Sequence, residues 1–108
     1  MSPELLRETD WSFGAAGSRS AHRTKVFLQG HWRRLDASYP LHLLDISVTG
    51  ARAHAATLPI AGSYILLECG VDLGTAQVSW SNGPYFGCRF VVAITPAVVS
   101  TIASMRVK

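Results

Sequence analysis

The chain has 108 residues, 48% of them hydrophobic, and ten Lys and Arg against seven Asp and Glu give it a formal charge of +3. That length supports one domain with a modest core needing neither metal nor disulfide, and the hydrophobic fraction, with a mean hydropathy of +0.20, argues against a disordered chain. No stretch approaches the roughly 20 apolar residues that span a bilayer, so membrane insertion is not expected.

Ser2-Pro3 can cap and open a short helix through Glu8, and Gly14-Ala15-Ala16-Gly17-Ser18 reads as a flexible joint. Residues 1–18 are therefore expected to form an arm, and 19–108 the domain. From Thr24 the pattern changes to short strands. Lys25 to Gln29 is the first, with Gly30 allowing a turn or bulge. Tyr39 to Val48 is the second, with Leu44, Ile46 and Val48 on one face by the period of two. Ala51 to Ala55 alternates small apolar with polar residues as a third, and after the turn at Pro59 to Gly62 comes Tyr64 to Glu68. Gly70 to Gly74 turns again, and Thr75 to Trp80 then sets Ala76, Val78 and Trp80 on one face. Ser81-Asn82-Gly83-Pro84 is a hairpin signal, leading into Tyr85 to Val92 with Phe86, Cys88, Phe90 and Val92 inward. Thr95-Pro96 matches an N-cap followed by Pro at the first helical position, and Val98, Val99, Ile102 and Met105 make one helical face through Lys108. The closely spaced turns favour an all-β fold: a small antiparallel barrel of about six strands, or a sandwich, with a C-terminal α-helix over an open end.

Eight of the ten cations are Arg, whose planar fork of donors suits phosphate and guanine edges. A basic excess this small does not by itself call for nucleic acid. Cys69 and Cys88 form no C-x-x-C pair, and Cys88 alternates in phase with Phe86 and Phe90 as a small buried hydrophobe. The four histidines are scattered singly, so no metal site is expected. The N-terminus lacks the basic-then-apolar run of a signal peptide, which predicts a cytoplasmic, reduced protein.

Two short polar segments carry the chemistry. In Asp45-Ile46-Ser47-Val48-Thr49-Gly50, Asp45 and Ser47 share a face opposite Leu44, Ile46 and Val48 and so point outward as an acceptor pair and a hydroxyl. Gly50 permits a reversal or a close ligand approach. Taken alone, this segment reads first as a turn stabilised by its Asx and Ser side chains. In Arg19-Ser20-Ala21-His22-Arg23, two guanidinium forks on a loop suit an anionic ligand over which the loop closes; alone, they read first as a solvated basic linker.

In this order, with a strand between them, the segments resemble the R-x-x-x-R and D-x-S-x-x-G signature of PilZ domains, bacterial receptor modules for cyclic di-GMP. Gly87-Cys88-Arg89-Phe90 is similar to the G-x-x-F that closes the family's barrel, and the resemblance covers roughly Ser18 to Val92. It implies a six-stranded barrel followed by a helix, and it assigns Arg19, Arg23, Asp45, Ser47 and Gly50 to the ligand. The Arg loop would wrap guanine and phosphate groups, and the second motif would hold a guanine on the barrel surface. Ser18 stands where many members carry a further Arg or Gln, which leaves one ligand molecule or a stacked pair open. Arg52 and Arg89 are auxiliary candidates.

The expected function is a non-enzymatic cyclic di-GMP sensor without a cofactor, whose loop closes on binding and signals to an unidentified downstream protein. One rival is an adaptor of the same fold with little nucleotide binding. Another is a small barrel for RNA or single-stranded DNA, for which Trp32-Arg33-Arg34 is the best spot, although it reads first as a hairpin-edge turn. A triad of His42, Asp45 and Ser47 is not expected, since His42 faces away from the other two and no nucleophile elbow surrounds the serine.

Overall fold

A computed structural model describes residues 22–105; the expected N-terminal arm, and Arg19 with it, lie outside the described residues. Six strands are followed by one helix: β1 (Thr24–Arg34), β2 (Ala37–Ile46), β3 (Gly50–His54), β4 (Tyr64–Glu68), β5 (Asp72–Asn82), β6 (Tyr85–Phe90) and α1 (Pro96–Met105). All neighbouring strands are antiparallel and close a barrel in the order β1-β2-β3-β6-β5-β4. The seam that closes the barrel is short, joining β1 to β4 at His31 to Arg33. The expected barrel with a C-terminal helix is the fold observed.

The core is built from alternate residues of each strand. Leu41 and Leu43 of β2, Ile65 and Leu67 of β4, Ala76 and Val78 of β5, and Phe86, Cys88 and Phe90 of β6 are all buried. The helix starts as its sequence dictates: the Val98 amide donates to Thr95 Oγ1 at 3.2 Å, and Pro96 takes the first helical position. Its Ile102 is fully buried and joins the core, so α1 packs onto the barrel beside β1. Val98 and Val99 pack at the margin of the core, while Met105 is partly exposed.

Four expectations change, three of them because strands run on or slip. β1 continues through Gly30 to Arg34 and turns at Leu35-Asp36, where Leu35 takes a φ of 57°. Trp32 therefore falls inside the barrel, 4% exposed and stacked on Tyr39 at 4.4 Å between ring centroids. Its Nε1 donates to the Thr57 carbonyl at 2.9 Å, tying down the long β3–β4 connection. In β2 the register against β3 shifts between Leu43 and Asp45, so Leu41, Leu43 and Ile46 are the inward residues, not Leu44, Ile46 and Val48. A second shift, between Val78 and Trp80, turns Trp80 outward although Ala76 and Val78 face in. Val92 lies beyond the end of β6 and is 78% exposed.

Candidate functional site

The bulge in β2 decides what the outer face presents. One extra residue after Leu43 shifts the phase of the strand, so Ile46 rather than Asp45 continues the inward row of Leu41 and Leu43, and Asp45 points outward toward the flanking strands. Asp45 pairs in register with Lys25 of β1 on one side and Arg52 of β3 on the other. His42 pairs with His54 and is exposed, so it shares the outward face with Asp45; the expected opposition of these two side chains is removed by the bulge.

Asp45 is only 5% exposed, because two guanidinium groups cover it. Arg23, just before β1, donates from Nη1 to Oδ1 at 2.6 Å, and Arg52 forms an ion pair through Nη2 with Oδ2 at 2.8 Å. A buried carboxylate requires such partners, and charge-assisted contacts of this kind are the strong ones. Both arginines remain more than a third exposed, so the cluster around the carboxylate reaches the surface. Two sequence segments 22 residues apart thus meet at a single oxygen.

Ser47 and Gly50 stand behind this contact. The Ser47 hydroxyl accepts the amides of Thr49 and Gly50, each at 3.2 Å, and the Ser47 amide donates to the Gly50 carbonyl at 2.8 Å. That closes the β2–β3 turn, with Ser47 buried rather than presented outward. At Gly50 a Cβ would fall on the Cys88 carbonyl oxygen, so the glycine admits the β6 backbone. Of the five residues expected at the site, the structure brings Arg23 and Asp45 into contact and places Ser47 and Gly50 in the turn that follows Asp45. Arg19 lies outside the described residues.

Two residues join the site that sequence reasoning did not assign to it firmly. Arg52, an auxiliary candidate, contacts Asp45 directly. Trp80 was expected inside. It instead lies over Gly87, which is the register partner of Arg52 on the adjoining strand. The one-residue slip in β5 carried no sequence signal. Arg89, the other auxiliary candidate, is exposed on β6 opposite Gly50 and Gln77.

Among the described residues no group of His, Cys, Asp or Glu could hold a metal ion, and no helix is long and apolar enough to cross a membrane. Burial pushes the Cys88 thiol up to about 12, against smaller lowering effects from an Ala51 backbone hydrogen bond and the Arg23 charge, which makes it a poor nucleophile. The face therefore offers cations, one carboxylate and an indole, a set suited to binding an anion with a hydrogen-bonding ring. The chain matches no model of a known protein family, and none of the curated proteins matches it.

Proposed function

We propose that this protein is a cyclic di-GMP receptor of the PilZ class, acting through the outward face of β1, β2 and β3. The observation that carries this reading is the 2.6 Å contact between Arg23 and Asp45, which joins the two signature segments in space. Guanine offers N7 and O6 acceptors on one edge, matching a guanidinium fork, and N1–H and N2–H donors on another, matching a carboxylate. Both partners of that recognition are present within one cluster, together with Arg52 and the Trp80 indole.

The ion pair also suggests how binding proceeds. The Asp45 carboxylate is buried beneath its arginine partners, so a guanine would reach it as a guanidinium moves off. Arg23, carried on the segment entering β1, would exchange the carboxylate for a phosphate oxygen or the guanine N7/O6 edge. Arg23 would give up its hydrogen bond to Oδ1 and gain a bidentate pair with the phosphate or the guanine N7/O6 edge, so the exchange adds net affinity. The loop carrying Arg23 changes position, and that change is the signal to a downstream protein. Arg19, five residues before the strand, would supply the second cation for a dianionic ligand.

A second reading has its own support. Ser47 and Gly50 already have structural duties and Asp45 is already neutralised, which suits an adaptor barrel with little nucleotide binding. The nucleic-acid reading has lost its best aromatic, because Trp32 faces the core. A retention assay with cyclic di-GMP, cyclic di-AMP and a short oligonucleotide separates the three. Selective retention of cyclic di-GMP supports the receptor; retention of none supports the adaptor; retention of the oligonucleotide alone removes both.

A further inference from the structure

The outward face carries a second row of side chains that the proposed site leaves unused. Crossing β1, β2, β3 and β6, it runs Phe27, His42, His54, Tyr85. His42 is the register partner of His54, and His54 of Tyr85. The Phe27 and His42 rings lie 6.4 Å apart, and His54 meets Tyr85 edge-on at 5.4 Å. All four are exposed, Phe27 most of all at 71%.

Phe27 is the odd member. It takes a φ of 53°, inside the irregularity where the β1–β2 register shifts between Lys25 and Leu28. Bulky side chains seldom adopt this backbone region, and strain of this sort gathers where a ligand is held. The phenyl ring contributes little to the core from such an exposed place, so its burial does not offset the strain.

This row lies directly beside the charged one. Arg52 and His54 are two residues apart on β3, about 7 Å along the strand. Arg23, Lys25 and Arg52 adjoin Asp45, with Arg89 further along on β6, and of the four described carboxylates only Asp45 sits on this face, the others standing at the ends of β1, β4 and β5. The face is cationic with flat rings next to it, complementary to an anion that itself carries flat rings. We propose that Phe27, His42, His54 and Tyr85 form a stacking platform for a second planar ring of the same anionic ligand. In the receptor reading, on which this inference rests, that ring is the second purine of cyclic di-GMP. Stacking accepts any base, so the platform adds affinity while Asp45 supplies base identity.

The test compares cyclic di-GMP with guanosine monophosphate, which has one base only. Both are titrated into the wild-type protein and into His54→Leu, Tyr85→Leu and Phe27→Gly, followed by NMR shifts, with thermal melts as a check on folding. The leucine variants keep apolar bulk but lose the aromatic plane. They should bind cyclic di-GMP about 5- to 150-fold more weakly. Their affinity for the monophosphate should stay as in the wild type. Phe27→Gly relieves the positive φ, so it should melt no lower than the wild type while still losing dinucleotide affinity. If the folded variants bind cyclic di-GMP as the wild type does, the platform is wrong and the receptor reading stands. If both nucleotides weaken in parallel, the row belongs to the first base's site and the second-ring proposal fails. A wild-type protein that binds neither nucleotide removes the receptor reading and the platform with it.

Discussion

The Trp80 indole occupies the space that a side chain at Gly87 would need: a Cβ there would fall on its Nε1 and Cε2 atoms. The slip in β5 turns Trp80 outward, and the missing side chain across the ladder gives the ring a seat next to Arg52. Gly87→Ala should therefore unseat the ring. A mismatch of this size costs about 1–3 kcal/mol when the surroundings cannot give. Denaturant unfolding should register the loss, and tryptophan emission should shift to longer wavelength as the ring moves toward water. An alanine variant with unchanged stability and emission would show that the ring is not held there.

Ser47→Ala separates turn from ligand. Its hydroxyl satisfies two amides of the β2–β3 turn, so the substitution leaves the buried Gly50 amide unpaired at a cost of about 1–3 kcal/mol. Urea unfolding should report that loss, and the melting temperature should fall with it. Undiminished stability combined with lost nucleotide binding would instead put the hydroxyl on the ligand.

Asp45→Asn removes the charge while keeping the shape. Its arginine partners are substantially exposed and can turn to water, so stability should change little. Discrimination should change more. A carboxylate accepts from the guanine donor edge, which adenine does not display, so the gap between cyclic di-GMP and cyclic di-AMP should narrow in competition titrations. A variant that melts well below the wild type at unaltered selectivity would make Asp45 a structural residue only.

The two thiols make the barrel sensitive to alkali. Burial pushes Cys88 up to about 12 and, with help from the Glu68 charge, Cys69 up to about 11, against an ordinary 9.0. Below pH 9 both are protonated whether the chain is folded or not and contribute no pH dependence. Above it the unfolded chain loses these protons first, so the native state holds more of them and stability falls as the pH rises toward 11 and 12. Urea midpoints measured across that range should decline less steeply for Cys88→Ala than for the wild type. Parallel declines would mean that the Cys88 thiol is not kept protonated by burial.

Much of the barrel is legible in the alternation of single strands. Tyr64 to Glu68 and the Asn82-Gly83-Pro84 turn fall where the residues place them, as does the Thr95-Pro96 helix start, because each is decided by local chemistry. The failures share one cause. Bulges at Leu44 and in β5 insert a residue without altering composition, so the inward phase of Leu44 and Trp80 is set by neighbouring strands. The β1–β2 turn at Leu35-Asp36 lacks glycine altogether, and Leu35 takes a positive φ there. Without that turn signal, Trp32 read as a surface aromatic. At the site, the spacing of Arg23 and Asp45 could not show that they meet, since their contact depends on the β1–β2 register. The Ser47 turn is legible: taken alone, the segment reads first as a side-chain-stabilised turn, and the Ser47 hydroxyl does accept the Thr49 and Gly50 amides.

Calorimetric titration of the wild type, Arg23→Ala and Arg52→Ala with cyclic di-GMP tests the central claim most directly. The wild type should bind with saturable heat, and each variant should bind about 10- to 150-fold more weakly, the worth of one charge-assisted hydrogen bond. Each variant leaves Asp45 one guanidinium partner, so both should stay folded with at most a modest loss of melting temperature, which thermal melts check. No heat from the wild type, or Arg23→Ala titrating like it, would contradict the assignment of this face to the nucleotide.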